Sequence, residues 1–320
     1  MAGTATLTIG STIAPVRKAA TLAADRALAL DAVVATMKAL ESRASDGSDS
    51  RADLASLPAR EGVVLRVDDV SSRLNPNLLR KNLIERTALA DYLVPGADAA
   101  AVQQRREDEG FSVDIFSGYG DLIDEDALER LFTPYSYASV NTDDEFALRR
   151  LYLEATGDRA ASEAFHAEVQ RQLVALEILA PGRLEERYGL ALAPVDPLIG
   201  AEPQLNANFA LAETLGIVLS YPAFEIADPR EKAEAIAEAA FSGPLDAGRI
   251  SEIVGVPLSH PVHAWIGSRT WFWRISATTD AAEWRAIVRM EAGESGEGVR
   301  ALLCEFGRTE EGDDRLRRHE

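Results

Sequence analysis

The placement of the strand-forming segments constrains this 320-residue chain more than any other feature. One β-branched run, residues 62–70 (GVVLRVDDV), reads as a strand. The next strong strand signals come only near the C-terminus, at 270–277 (TWFWRISA), 283–290 (EWRAIVRM) and 299–306 (VRALLCEF). Polar or Gly-rich turns at 278–282 and 291–298 separate them, the pattern of a three-stranded antiparallel meander. A single strand has no independent stability, so residues 62–70 are predicted to pair with that meander. About 190 residues then fall between two strands of one sheet.

Those intervening residues are helical in period and rich in Ala, Leu and Glu, as in 78–89, 124–131, 145–154, 160–178 and 230–240. Before the first strand, residues 17–43 read as an amphipathic helix carrying Leu22, Leu28, Val33, Met37 and Leu40, and 44–56 as a polar loop. The expectation is an α+β fold: a long N-terminal helix packed on a small antiparallel sheet, with a large α-helical insertion growing out of that sheet. The discontinuous α/β part is expected at 1–74 and 257–310, the insertion at 75–256 with a second module from about 203, and a polar tail at 311–320.

The formal charge of −19 repels phosphate backbones and anionic membranes, so no nucleic-acid partner is expected. One cysteine, Cys304, excludes an internal disulfide and a cysteine-rich zinc site, and its apolar surroundings predict a buried small hydrophobe. The run 1–16 is uncharged but short of the ~20 mostly apolar residues a membrane span requires, and no basic residue precedes it as in a secretory signal. No membrane insertion is expected of the chain as given.

Two short segments resemble each other: Leu74-Asn75-Pro76-Asn77 and Leu205-Asn206-Ala207-Asn208. In each, the Leu anchors the segment in the core, and the first Asn is suited to bonding backbone across a turn. The second Asn is predicted to cap the helix that follows. Asn75, Asn77, Asn206 and Asn208 thus mark helix starts.

These segments carry a resemblance to the K-type minor pseudopilins of type II secretion systems (the general secretion pathway protein K family). That family has an Asp–small–x–Leu/Ile-Asn-x-Asn segment directly after the first pilin strand, here 69–77 (DVSSRLNPN). It has a second Asn-x-Asn-x-Ala segment in its inserted helical domain, here 206–210 (NANFA). It ends on a Ser–x–x–aromatic strand and a further meander, here like 268–275 (SRTWFWRI) followed by 284–290. The resemblance covers roughly 17–306. It implies a pilin-like domain interrupted by SAM-like or helix-hairpin-helix-like modules. It also implies a periplasmic structural role at the pseudopilus tip, with the I- and J-type minor pseudopilins as partners. Family members begin with a prepilin-peptidase site and an apolar membrane helix. Neither is visible here, so the native form is expected to be anchored in the inner membrane by a segment absent from this sequence.

Members of that family can also bind calcium. Asp121, Asp124 and Asp126 in 118–127 (GYGDLIDEDA) are candidate ligands, because carboxylates on a loop suit that ion. The opposing reading is that Asp124 caps the next helix, with acids favourable in its first turn. Trp271 and Trp273 alternate with Phe272 and suit either the core or a subunit interface. His260 and His263 flank Pro261 with no third metal ligand nearby, and His166 reads as a surface or interhelix hydrogen-bonding group. The second Asn-x-Asn also resembles the start of a DNA-binding helix-hairpin-helix. At the hairpin, however, 219–224 (LSYPAF) has no glycine, and 206–256 holds eight acidic and three basic residues. A helix-hairpin-helix-like adaptor is the alternative reading. No nucleophile elbow, Walker loop, dinucleotide fingerprint or zinc-protease helix occurs, and no enzymatic activity is expected.

Overall fold

The computed structural model describes residues 4–43, 49–136, 138–174, 179, 184–188, 199–201, 203–291 and 298–307. Within these, the side chains of 4–17, 43, 109, 173, 184, 185, 291 and 298–307 are not described. The chain divides into two compact units. The first is Met1–Asp46, Leu54–Asp68 and Phe272–Glu320; the second is Gly47–Asp53 and Asp69–Trp271.

The first unit has helix α1 (Thr4–Arg43), longer at its start than the periodicity predicts. It packs on a sheet formed by β1 (Val64–Asp69), β6 (Phe272–Thr278), β7 (Glu283–Glu291) and β8 (Gly298–Gly307). The strand order is β1-β6-β7-β8, so the early strand does join the C-terminal meander. The β6–β7 and β7–β8 pairs are antiparallel, with one register shift between Ile287 and Val288. Small residues let the helix approach: Ala29, Ala32, Val33, Thr36 and Leu40 recur at three- and four-residue steps and are buried. Thr36 Oγ1 donates to Ala32 O instead of facing the core unpaired. From the strands, Trp273, Ile275, Ala277, Ala286, Val288 and Met290 are buried. Each larger side chain among them contributes about 1.5–3 kcal/mol of transfer free energy. The Trp284 indole N–H donates to Arg26 O, and the Arg26 guanidinium lies 5.4 Å from the ring centroid. Gly62 turns the chain into β1 at φ +76°, where a side chain would be strained.

The second unit is mainly helical. After α2 (Arg51–Ala55) it holds α3 (Lys81–Arg86), α4 (Ala99–Glu109), α5 (Ile115–Tyr119) and α6 (Glu125–Leu131). Next come β2 (Ala138–Ser139), α7 (Glu145–Thr156), α8 (Arg159–Val174), α9 (Leu184–Tyr188) and β3 (Ile199–Gly200). The last group is β4 (Leu205–Asn206), α10 (Ala212–Leu219), α11 (Pro229–Ser242), α12 (Ala247–Val254) and β5 (Ile266–Gly267). The helix expected over 78–89 is broken into α3 and a 3₁₀ turn, Ala88–Tyr92. Thr87 ends one and caps the other by accepting Leu89 N. The insertion runs over Asp69–Trp271 and is joined by Gly47–Asp53, wider than the expected 75–256. Residues 311–320 lie outside the described residues, as does the side chain of Cys304, whose backbone pairs with Ala286.

Candidate functional site

Three pairs of short extended segments divide the helical unit into modules. Leu74 bridges Phe132, Ala138 pairs with Ile199, and Leu205 pairs with Ile266, all parallel, at separations of 58, 61 and 61 residues. In the third module the approach is close enough that a Cβ on Gly267 would sit 2.9 Å from Pro203 Cβ.

The residues after each first segment make the same bonds. Asn75 Oδ1 accepts Asn77 N at 3.0 Å, and Asn206 Oδ1 accepts Asn208 N at 2.9 Å. Ser139 Oγ accepts Asn141 N at 3.3 Å. Next, an asparagine amide closes on one distant residue from both sides. Asn77 Oδ1 accepts Ser112 N at 2.8 Å, and its Nδ2 donates to Ser112 O at 2.9 Å. Asn141 does the same with Leu179, at 2.9 and 2.7 Å, and Asn208 with Leu245, at 2.7 and 3.2 Å. The clamped residues lie 35, 38 and 37 positions on. A primary amide carries a donor and an acceptor side by side, as a peptide group does, so it satisfies a buried N–H and C=O together.

The expected N-cap role of Asn77 and Asn208 is therefore corrected. The residues before α3 and α10 are Arg80 and Leu211, and neither makes a side-chain cap. The first-position prediction, an Asx turn at Asn75 and Asn206, matches the bonds found. The middle module was missed because Ala138-Ser139-Val140-Asn141 lacks both the Leu and the first Asn. Its readable signal is a lone Asn two residues after a hydroxyl, about 65 residues from each of the other two copies.

Where β1 ends, a second polar cluster gathers three stretches of this unit. Asp69 Oδ1 accepts Ser71 N, Ser71 Oγ and Ser72 N at 2.7, 2.9 and 3.1 Å. Its Oδ2 accepts the hydroxyls of Ser72 and Thr270, the latter at 2.9 Å. Thr270 N donates to Asp49 Oδ2 at 2.8 Å, and Asp49 N to Ser268 O at 2.8 Å. Asn206 Nδ2 donates to Thr270 Oγ1 at 2.9 Å and to Asp49 O at 3.2 Å. Burial pushes Asp49 up to about 6, against the Thr270 N–H and the Arg269 charge, which favour ionisation. Burial also raises Asp69, against the donors from Ser72, Thr270 and Ser71. A third buried carboxylate, Asp143, is pushed up to about 7 by desolvation. It accepts Ser139 N at 2.7 Å and Gln204 Nε2 on both oxygens at 2.7 Å. These groups hold chain segments together through buried side-chain to backbone and side-chain to side-chain bonds.

The remaining candidates resolve into structural roles. Asp121 forms a two-point ion pair with Arg105, at 3.0 and 2.5 Å. Asp124 caps α6 through Ala127 N at 3.0 Å, and Asp126 lies in that helix's first turn. Among the described residues no group of three or more His, Cys, Asp or Glu side chains could hold a metal ion. The calcium candidates are thus corrected to an ion pair and a cap. Trp271 and Trp273 are 4% and 1% exposed, so both are core residues of this chain, not surface available to a partner. Trp271 Nε1 donates to Pro203 O at 3.1 Å. His166 lies 4.9 Å from the Phe146 ring, and its Nε2 is buried without a hydrogen bond. His260 Nδ1 accepts Val262 N at 3.2 Å. At the hairpin compared with DNA-binding units, Pro222–Phe224 is a 3₁₀ turn followed by Glu225 at φ 52°, an acidic residue where a phosphate cradle needs glycine.

No protein-family model matches the chain, and no curated protein does. Among solved structures it is similar to a chain of the GspK-GspI-GspJ complex from the enterotoxigenic Escherichia coli type 2 secretion system. The match has 14% identity, spans 94% of this chain and all of that one, and has a TM-score of 0.31. At that score the likeness adds nothing to the fold, which rests on the strand order described above.

Proposed function

We propose that this chain is a structural subunit of a type II secretion pseudopilus: a K-type minor pseudopilin placed at the filament tip with I- and J-type partners, in the periplasm, without enzymatic activity. The observation that carries the reading is the sheet order β1-β6-β7-β8 beneath α1, with Asp69–Trp271 inserted between adjacent strands. A long helix on a small sheet is a shape that packs laterally against copies of itself. A mainly helical insertion of about 200 residues is bulk that a repeating filament subunit does not need, which favours a place at the end of a filament. The Asp69–Asn77 and Asn206–Ala210 segments add support, because each belongs to a buried bonding device rather than a surface loop. Among the described residues no helix is long and apolar enough to cross a membrane. Anchoring in the inner membrane, by a segment outside this sequence, belongs to the same proposal.

The test is to mix the chain with soluble I- and J-type minor pseudopilins from the same organism and to follow elution by size-exclusion chromatography. Co-elution as a 1:1:1 complex is expected. Separate elution at tens of micromolar of each component would overturn the reading.

A further inference from the structure

Between α4 and α7 lies a cavity of about 550 Å³. Its wall includes the apolar side chains Phe146, Ala147 and Leu153 and the cations Arg106, Arg149 and Arg150. Arg150 is committed: it pairs with Glu154 at 2.9 Å and donates to the carbonyls of Arg106 and Glu107. Arg106 is only 6% exposed, yet its guanidinium is under-bonded. Nη1 donates to Leu79 O, and Nη2 stands 3.5 Å from Asp144 Oδ2. Nε has no partner. Asp144 is held in place by its other oxygen, which caps α7 through Phe146 N and Ala147 N at 3.0 and 3.1 Å. A guanidinium has five N–H donors; Nε is shut off from solvent, so the Nη nitrogens are the ones left to meet a ligand. Arg149, exposed on the wall, has no acidic hydrogen-bond or ion-pair partner among the described residues.

We propose that this cavity binds the C-terminal residue of a peptide, with the free α-carboxylate on Arg106 and Arg149 and an apolar last side chain against Phe146 and Leu153. The charges select a carboxylate over a phosphate. Glu107, Asp144 and Glu154 line the same wall, so three acids already offset the three arginines. A singly charged, planar carboxylate matches the guanidinium fork, whereas a dianion is repelled by those acids. The apolar wall, with Phe146 40% exposed at its edge, calls for a hydrophobic group next to that charge. The inference rests on this cavity alone and stands whether or not the chain assembles into a filament.

Fluorescence anisotropy with the full chain tests it, using a labelled hexapeptide ending in Phe-Leu as the free acid and again as the C-terminal amide. The acid is expected to bind at least about tenfold more tightly than the amide, the loss of one charge-assisted contact. Arg149→Ala and Phe146→Ala are each expected to weaken the acid peptide severalfold, Arg149→Ala without moving the melting temperature and Phe146→Ala with a small fall from its lost packing on His166. Arg106→Met should abolish binding. Because that variant risks the fold, the two exposed variants decide the outcome. Equal binding of acid and amide, no binding up to about 1 mM, or competition by inorganic phosphate as strong as by unlabelled acid peptide would each overturn the proposal.

Discussion

The middle and third modules of the helical unit solve the same problem with different residues. Both open on a two-residue parallel pair and both close an asparagine amide on a backbone about 37 positions away. In the third module the first position is Asn206, whose carbonyl oxygen forms the turn while its amide reaches Thr270 Oγ1 and Asp49 O. In the middle module that position is Ser139, which forms the turn with a longer bond and has no amide to reach outward. Four residues on, where the third module has buried Ala210, the middle one has buried Asp143, and this carboxylate ties Ser139 N to the Gln204 side chain. The anchoring has moved from an amide at the first position to a carboxylate at the fifth, while the clamping Asn has not moved. The clamp is therefore the common element, and the turn residue is the adjustable one.

The largest effect should come from removing the clamps. Asn208→Ala leaves Leu245 N–H and C=O without partners in a buried site, a cost of about 2–4 kcal/mol. Asn141→Ala is expected to cost a similar amount through Leu179. Urea unfolding of both variants measures this. If one variant is near wild type and the other is not, the two modules are not equivalent and the comparison fails.

Next comes the carboxylate that only the middle module has. Asp143 has its pKa raised by burial from 3.8 to about 7, with Ser139 N–H, Gln204 and Arg80 favouring ionisation and Asp144 opposing it. A raised carboxyl binds its proton more tightly in the folded state. Its contribution to stability is full below pH 3.8, declines as pH rises towards 7, and is gone above that. Asp49, raised to about 6, adds a loss in the same direction that ends earlier. Asp143→Asn should flatten the fall in stability between about pH 4 and 7, read from urea midpoints at half-unit steps. An unchanged slope would mean that Asp143 is ionised in the fold at all of these pH values.

Much of this organisation was legible in the sequence, and the failures have physical causes. The pairing of residues 62–70 with the C-terminal meander followed from the instability of a lone strand, and the strand order agrees. Two of the three modules were visible because their turn residue is Asn. The middle one was hidden because a serine hydroxyl makes the same turn and leaves no repeated letters. The N-cap expectation failed because an Asn before a helix looks the same in sequence whether its amide turns to the helix or to a backbone 35 residues away. Trp271 and Trp273 failed as interface candidates for a related reason: an aromatic-dense strand has one composition whether its rings meet a partner or its own core.

The smallest expected effect is also the sharpest test of which residue matters. Ser139→Ala removes one 3.3 Å bond to Asn141 N and creates a small void, which should cost about 1 kcal/mol. Asn206→Ala removes the 2.9 Å turn bond together with the contacts to Thr270 and Asp49, and should cost about 2–3 kcal/mol. The gap between them measures what the first-position amide does beyond forming the turn, because the turn bond is lost in both. In the Asp143→Asn background the cost of Ser139→Ala should rise, since an amide in place of the carboxylate offers only one acceptor oxygen to Ser139 N and Gln204 together. Strict additivity of the two substitutions would show that Asp143 does not stand in for the missing amide, and the exchange of roles between the two modules would have to be given up.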